Sequence, residues 1–275
     1  MQSNKYYNLA NKVINLSDII CEVLDARFPY LTRNETLEQQ ILSKGKKLIF
    51  AINKSDLTSI NQLKKIKSDF KPSVFLSAKK RLGTTILKRY LSSLSKGKPI
   101  VIGIIGYPNT GKSSIINSLS GRRSARVSPI SGFTKGIQYI KMNSNVMIID
   151  SPGVVPIKKD DEIRLAILGS IDPTKIKDSL SCAENIIKID SQSIIAHYKL
   201  KPSSDTQEEI LNKIAENLKM LLPGGIPDIN RASRKVIFDW QKGKIKFFER
   251  EKNELLLLNK EIEDQISSLD SSKNF

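Results

Sequence analysis

Residues 106–113 read GYPNTGKS and fit the phosphate-loop pattern G-x-x-x-x-G-K-[ST] at every position. The two glycines let backbone N–H groups turn inward around phosphate oxygens. Lys112 is expected to reach the β- and γ-phosphates of a bound nucleotide, and the Ser113 hydroxyl to ligate Mg²⁺. An apolar run at 100–105 precedes the loop and a helical pattern follows it. This strand–loop–helix context favours a phosphate loop over a glycine-rich turn without a ligand.

Residues 150–153, DSPG, end another apolar run and form a candidate switch. A carboxylate at the carboxyl end of a strand, here Asp150, is placed to hold Mg²⁺ through water. Gly153 lacks a side chain and can offer its N–H to the γ-phosphate. Alone, the four residues are an ordinary turn, and the phosphate loop upstream is what favours the switch interpretation.

The segment 121–136 is polar, basic and aperiodic, which is typical of a functional loop. Thr134 is the candidate that closes on Mg²⁺ and the γ-phosphate, because a predicted strand follows it directly. The competing interpretation is that Thr134 is an ordinary loop threonine, with Ser128 or Ser131 in the role. With Lys112 and Gly153, Thr134 completes the expected catalytic set.

Residues 53–56, NKSD, follow a further apolar run and predict a guanine-reading segment. The Asp56 carboxylate can accept both N1–H and N2–H of guanine, a donor pair that adenine does not offer. Asn53 is expected to order the loop and Lys54 to lie along the base. After the next predicted strand, the backbone N–H of Ala78 can reach the guanine O6.

The expected site is therefore assembled from five separate segments. The residues predicted to contact the nucleotide are Asn53, Lys54, Asp56, Ser77, Ala78, Lys79, Asn109, Thr110, Gly111, Lys112, Ser113, Ser114, Thr134, Asp150 and Gly153. Of these, Ser113, Thr134 and Asp150 are the predicted Mg²⁺ ligands.

Short apolar runs supply the strands that must position these segments. Six runs are strand-sized: 19–24, 47–52, 73–77, 100–105, 137–142 and 145–149. Helical segments separate the first four, which predicts a parallel sheet with crossover helices, and the last two read as an antiparallel hairpin. Residues from 156 onward carry helical spacing, with a helix starting near Pro202 and a basic helix over 231–242. We expect an α/β domain over 1–155 and a smaller all-helical domain over 156–275.

Bulk composition excludes several classes of protein. The 275-residue chain is 39% hydrophobic and 27% charged, typical of a soluble globular protein. It lacks an apolar run long enough to cross a bilayer, and polar residues interrupt positions 1–20, so a cytoplasmic location is expected. Two cysteines and one histidine leave little for a zinc site, and Cys21 is expected to be a buried free thiol.

Positive charge is concentrated in two places. Residues 61–98 hold eleven Lys or Arg against one acid, and residues 231–250 hold seven against two, within a net charge of +17. Such clusters favour a polyanionic partner, although a solvated lysine-rich surface would look the same. If that partner is RNA, the side chains expected to contact its backbone are Lys64, Lys65, Lys67, Lys71, Arg234, Lys235, Lys242 and Lys244.

With these motifs in hand, the chain resembles the circularly permuted GTPases of the YlqF/RbgA family. The order of NKSD, SAK, phosphate loop, switch threonine and DSPG is the order of that family. The segments 25–34, DARFPYLTRN, and 224–232, GGIPDINRA, look like its other two signatures. The resemblance implies a circularly permuted G-domain with a mostly parallel six-stranded sheet, followed by an RNA-binding helical domain.

The resemblance also implies a slow GTPase that is stimulated by its ribosomal partner and aided by K⁺. Asn109 matches the K⁺ ligand of such enzymes, with a loop-stabilising side chain as the alternative. Val154 stands where Ras-like proteins have a water-positioning glutamine, and Gln2 lies near the position of a histidine implicated in hydrolysis. Neither role can be carried over, and His197 is expected to be a surface or packing residue.

These expectations converge on an assembly factor for the large ribosomal subunit that binds GTP/GDP, Mg²⁺, K⁺ and rRNA and is a monomer when free. One alternative is a GTP-dependent regulatory switch acting on another RNA–protein or membrane-associated partner, although the sequence offers no lipid anchor. A metabolic ATPase or kinase is a second alternative, which Asn53 and Asp56 argue against.

Overall fold

The structure of the protein is a computed structural model that describes residues 2–120, 126–127, 138–150, 162–202, 204–245 and 264. The described residues up to Asp150 lie in one compact unit, and those from Glu162 to Ile245 lie in another. The first unit contains every described segment of the predicted nucleotide site. The predicted residues Thr134, Gly153 and Val154 and the alternatives Ser128 and Ser131 lie outside the described residues. So does the C-terminal segment 247–275, except for residue 264.

The first unit alternates strands and helices. Its strands are β1 (Ile19–Asp25), β2 (Lys47–Asn53), β3 (Ser73–Phe75), β4 (Ile100–Ile105), β5 (Arg126–Val127), β6 (Gln138–Lys141) and β7 (Val146–Asp150). Its helices are α1 (Gln2–Leu16), α2 (Pro29–Thr32), α3 (Glu35–Ser43), α4 (Ile60–Lys67), α5 (Thr84–Ser93) and α6 (Lys112–Ser120). Helix starts follow local capping chemistry: Asn34 accepts a hydrogen bond from the Leu37 N–H, and Ser59 from the Gln62 N–H.

The strands form one mixed sheet in the order β3-β2-β1-β4-β7-β6-β5. The five strands from β3 to β7 in this order are parallel, and the β6–β7 hairpin is antiparallel, as the sequence predicts. All six expected strands are present, but the described sheet has a seventh. This β5 strand has two residues in a segment expected to be loop, too short for any hydrophobic alternation to reveal it.

Side chains alternate along each strand, so each strand contributes residues to both faces of the sheet. An apolar cluster buries each face. In β1, Ile19, Cys21 and Val23 face one apolar cluster, whereas Ile20 and Leu24 face the other. Cys21 is a buried free thiol, as expected, and burial raises its pKa to about 12.

Parallel pairing brings the carboxyl ends of the central strands to one edge of the sheet. Asp25 at the end of β1 lies opposite Asn53 at the end of β2. Asp150, the last residue of β7, lies opposite Ile104, just before the phosphate loop. This edge is where open α/β sheets bind ligands.

The second unit consists, over the residues described, of helices α7 (Glu162–Ile167), α8 (Ser179–Ile189), α9 (Ser191–His197), α10 (Gln207–Asn217) and α11 (Ile229–Gln241), with a 3-10 turn at Pro173–Lys175. The prediction of a helix start near Pro202 is wrong. Helix α10 starts at Gln207, because Thr206 and Glu209 form a reciprocal capping box. Across the described residues, we find no helix with the length and apolar character needed to cross a membrane.

Candidate nucleotide-binding site

The phosphate loop connects β4 to α6 through two glycines that no other residue could replace without strain. Gly106 has a φ of 142°, and a Cβ there would lie 2.5 Å from the carbonyl oxygen of Val23. Gly111 has a φ of 99°, and a Cβ there would lie 2.2 Å from Nδ2 of Asn53. The loop is therefore packed tightly against both β1 and the end of β2, and its glycines are required by close approach as well as by conformation.

Lys112 begins α6 and is only 6% exposed. Its ammonium group donates a hydrogen bond to the carbonyl oxygen of Tyr107 at 2.6 Å, which folds the side chain back over the loop. Burial lowers the pKa of Lys112 to about 8; the charge of Asp150 opposes this shift, and that of Lys54 adds to it. A buried ammonium directed into an anion-binding loop is poised to bind phosphate oxygens.

The neighbouring hydroxyls divide into two kinds. Ser113 and Ser114, in the first turn of α6, are exposed and accessible to a ligand. Thr110 is 1% exposed, and its hydroxyl donates to the carbonyl oxygen of Tyr107 at 2.9 Å. The Thr110 side chain thus holds the loop closed, and its contact with a nucleotide would come from the backbone.

Asn53 joins the guanine-reading segment to the phosphate loop. Its Nδ2 donates to the carbonyl oxygen of Thr110 at 2.7 Å, and its Oδ1 accepts from the Ala78 N–H at 3.0 Å. Both bonds are buried, and Asn53 is 3% exposed. One side chain therefore sets the spacing of three segments that are far apart in sequence. The Ala78 N–H is already engaged, so it could contact a guanine O6 only as a shared donor.

Lys54 adopts a left-handed backbone conformation, with a φ of 59°. Its ammonium donates to Oδ2 of Asp25 at 2.8 Å, and the Arg27 guanidinium donates to both oxygens of the same carboxylate, at 3.0 and 2.8 Å. Burial favours a higher pKa for Asp25, but the charges of Arg27 and Lys54 outweigh it and hold the pKa well below its usual range.

This Asp25–Arg27–Lys54 cluster is a feature that sequence reasoning missed. In the sequence, residues 25–27, DAR, indicate only a family signature and no role for their side chains. Because β1 and β2 are adjacent and parallel, the ends of both strands meet, and Asp25 anchors the lysine that is expected to lie along the base. The sequence does contain a signal for this contact: Asp25 ends one predicted strand and Lys54 follows the end of the next, so opposite charges lie at the same edge of the sheet.

Asp56 lies in a short 3-10 turn, Ser55–Leu57, directly after Lys54. It is 8% exposed, and its carboxylate lies 3.4 Å from Nζ of Lys80. Lys80, which the sequence motifs do not single out, is thus a neighbour of the carboxylate expected to accept the guanine donors, and Lys79 stays a predicted nucleotide contact. Ser77 is buried and forms an antiparallel bridge with Leu82, which fixes the turn that carries Ala78.

The residues present fit a Mg²⁺ ion. Asp150 is close enough to Lys112 for its charge to influence the pKa of that lysine, and Ser113 is the next residue of the same helix. Among the described residues, no group of three or more His, Cys, Asp or Glu could hold a metal. A hydroxyl with one carboxylate fits Mg²⁺, which takes few protein ligands and completes its shell with phosphates and water.

The predicted RNA-contacting side chains lie on or shortly after two helices, α4 and α11. Lys64 and Lys65 are exposed on α4, and Lys71 is exposed beyond it, whereas Lys67 is half-buried. On and after α11, Arg234, Lys242 and Lys244 are exposed and Lys235 is half-buried.

His197 ends α9. Its ring packs edge-on against Tyr198, with centroids 4.8 Å apart, and its Nε2 lies 3.6 Å from Oδ2 of Asp239. Asp239 belongs to the helical unit, so the sole histidine lies in a packing environment outside the described nucleotide site.

Fold and site together define a P-loop protein of the G-domain class, in which the guanine-type segment precedes the phosphate loop. Comparison with known proteins agrees. The family described as 50S ribosome-binding GTPase matches residues 101–222, and the RsgA GTPase family matches residues 30–158. YlqF from T. maritima with bound GNP superposes with a TM-score of 0.63 and 25% identity, over 88% of this chain and 95% of that one. The chain belongs to the circularly permuted GTPases of the YlqF type.

Two relatives show how far the sequence similarity extends. A GTP-binding protein of Methanocaldococcus jannaschii is 40% identical over 87% of this chain and 66% of its own length. Nuclear/nucleolar GTPase 2 of Oryza sativa subsp. indica is 34% identical over 90% of this chain and 48% of its own length. The chain thus spans between about half and two thirds of these relatives.

Proposed function

We propose that this protein binds GTP and GDP, hydrolyses GTP to GDP and phosphate, and acts as an assembly factor for the large ribosomal subunit through rRNA binding. The observation that carries the nucleotide part is the Asn53 bridge between Thr110 and Ala78. It couples the guanine-reading segments directly to the phosphate loop, so base and phosphate recognition form one site.

Within this site, Asp56 accepts the N1–H and N2–H of guanine, and Lys54 covers the base while held by Asp25. Lys112 exchanges its bond to the Tyr107 carbonyl for the β- and γ-phosphates. Ser113 and Asp150 hold Mg²⁺, which when bound neutralises developing phosphate charge. Thr134 and Gly153 are proposed to complete the catalytic set at the γ-phosphate.

Hydrolysis is proposed to be slow without a partner, because Val154 has no group that can orient the attacking water. Asn109 is proposed to ligate K⁺ beside the phosphates; its side chain is exposed and its backbone is left-handed, with a φ of 59°. GTP turnover measured in K⁺ and in Na⁺ tests this: equal rates in the two ions would remove the K⁺ role.

The ribosomal part of the proposal is supported by the names of the matching families and relatives and by the exposed lysines and arginines of the two basic segments. Phosphate contacts by such side chains predict binding that weakens steeply with salt. The proposal includes a cytoplasmic location, a monomeric free state and no stable association with membranes.

Nucleotide competition tests the first part. Unlabelled GTP and GDP should displace labelled GDP, whereas ATP should not, and Asp56→Asn should abolish the preference because the guanine donors lose their anionic acceptor. Glu208→Gln, at an exposed acid of the helical unit, is the control. A preference for ATP, or an unchanged preference in Asp56→Asn, would refute guanine recognition.

Co-sedimentation tests the second part. Purified large subunits should retain the protein with a non-hydrolysable GTP analogue more than with GDP, and small subunits should not retain it. Binding instead to vesicles of anionic phospholipid, without binding to large subunits, would favour the regulatory switch on a membrane-associated partner.

A further inference from the structure

The outward face of α11 combines positive charge with a single aromatic ring. Arg231, Arg234, Phe238 and Lys242 are all exposed and lie three, four and four residues apart. At 3.6 residues per turn, these positions fall within an arc of roughly 80°. The opposite face is apolar and buried, and includes Trp240 and Val236. The exposed stripe is therefore separate from the surface that packs the helix into its own unit.

Phe238 lies in the middle of this stripe with 39% of its surface exposed. The ammonium groups of Lys242 and Lys244 lie 5.5 and 4.9 Å from its ring centroid, within the range of cation–π contact. Arg234 and Lys242 are each four residues away, about 6 Å along the helix axis in either direction. A flat group stacked on the ring would have a cation on both sides.

The single acid between residues 229 and 245 does not pair with the two arginines of this stripe. Asp239 is fully buried and accepts from the Tyr198 hydroxyl at 3.1 Å. It also pairs with Lys235, and with Nζ of Lys244 at 3.0 Å. Asp239 therefore engages the two lysines nearest to it and does not pair with Arg231 or Arg234, which are exposed on the outward face.

We propose that Arg231, Arg234, Phe238 and Lys242 bind single-stranded RNA, with one unpaired base stacked on Phe238 and the flanking phosphates on Arg234 and Lys242. This inference rests on the proposed RNA partner and specifies how α11 meets it. Unpaired RNA bases are typically read by stacking on aromatic side chains, whereas a duplex hides its bases and offers only its backbone to a helix surface.

A membrane surface fits this helix less well, because an interfacial helix needs a broad apolar face and that of α11 is buried within its own unit. An acidic peptide would satisfy the cations but would leave the exposed ring without a planar partner. The acidic peptide remains an outcome of the test below, and the membrane an outcome of the vesicle comparison in the co-sedimentation test above.

The test is fluorescence anisotropy with labelled single-stranded oligoadenylate, using the full chain loaded with a GTP analogue. Phe238→Leu should weaken binding about tenfold, because it keeps apolar volume but removes the stacking face. Phe238→Trp should bind at least as well as the wild type. Arg234→Gln should weaken binding and reduce the salt slope by about 0.7, whereas Phe238→Leu should leave the slope unchanged.

Tyr30→Leu is the matched control, since Tyr30 is an aromatic residue that is 51% exposed in the other unit. Melting curves of all variants test whether each is folded. If Phe238→Leu is unstable, Phe238→Trp replaces it in the test. Tenfold weaker binding by a folded Phe238→Trp would count against stacking. Binding by Phe238→Leu equal to the wild type, with Arg234→Gln impaired, would overturn the stacking site and leave the RNA partner standing.

Two further outcomes separate this inference from the proposed function. If the wild type does not bind the oligoadenylate but co-sediments with large subunits, only the stacking inference fails. If it binds neither, the RNA partner itself fails. Equal loss of polyglutamate and oligoadenylate binding in Phe238→Leu would point to an acidic protein partner and overturn the inference.

Discussion

Replacing Asn53 by alanine would remove the one side chain that ties the base-reading loops to the phosphate loop. Asn53→Ala deletes two buried hydrogen bonds, of 2.7 and 3.0 Å, and leaves the Thr110 carbonyl and the Ala78 N–H without this partner. Each orphaned buried group costs about 1–2 kcal/mol, so the total is about 2–4 kcal/mol. Because about 1.4 kcal/mol is a factor of ten in an equilibrium constant, the whole loss would weaken GDP binding roughly 30- to 700-fold if it fell entirely on binding.

We expect most of this loss to appear in GDP affinity, because the bridge sets the distance between the two halves of the site. Isothermal titration calorimetry of the purified variant with GDP measures it, and thermal melting of the nucleotide-free variant measures the share that falls on stability. Asn117→Ala, which changes an exposed asparagine on α6, is the matched control and should bind as the wild type does.

The reasoning would be refuted by a folded Asn53→Ala variant that binds GDP within twofold of the wild type. A large fall in melting temperature with unchanged affinity would show that Asn53 stabilises the fold without spacing the site. The opposite pattern, weak GDP binding with an unchanged melting temperature, would support the bridge as a binding feature.

Three further predictions follow from the same site. Asp25→Asn leaves two neighbouring cations without their counterion and should lower the free energy of unfolding by about 3–5 kcal/mol in urea titrations at pH 7. Because the pKa of Asp25 is lowered in the folded state, its ionised carboxylate stabilises the fold above about pH 4, and this stabilisation is lost as the pH falls through the native pKa. The difference in unfolding free energy between the wild type and Asp25→Asn should therefore be constant from about pH 6 to 8. Gly111→Ala should abolish GDP binding, since its Cβ would lie 2.2 Å from Asn53, whereas Gly97→Ala, with a φ of 79° and no atom within 4 Å, should retain it. GDP affinity should fall about tenfold between pH 7 and pH 9, because phosphate binding requires the ammonium form of Lys112, whose pKa is about 8 in the free protein.

Different results would contradict each argument. Wild-type stability in Asp25→Asn would mean that its cation partners are satisfied by water. Equal GDP binding by the two glycine variants would mean that the loop relaxes away from Asn53. A GDP affinity that does not change up to pH 9 would show that Lys112 stays protonated in the free protein or does not contact phosphate.

The sequence by itself determined the strands, the order of the motifs and the edge of the sheet at which they meet. Apolar runs bounded by polar motifs report burial and strand ends, and these are local properties of the chain. For this reason the sequence predicts the parallel sheet, the β6–β7 hairpin and the basic helix correctly. The sequence does not predict strand β5, because two residues are too few to show an alternating pattern. It misplaces the start of α10, because the capping box of Thr206 and Glu209 starts the helix after the Pro-Ser-Ser segment.

Only the tertiary structure decided which side chains touch. Asn53 bonds Thr110 across 57 positions, and Lys54 bonds Asp25 across 29, because parallel strands and their crossovers bring those ends together. Local patterns also could not show that Lys80 lies beside Asp56, since a turn rather than a repeat sets the direction of its side chain.

The same holds for the basic helix. Its sequence shows five cations between 231 and 244 without distinguishing them. Packing buries Asp239, engages Lys235 and Lys244 with it, and leaves Arg231, Arg234 and Lys242 outward around Phe238. Charge content is a property of the sequence, but how each charge is used depends on the neighbours that the fold supplies.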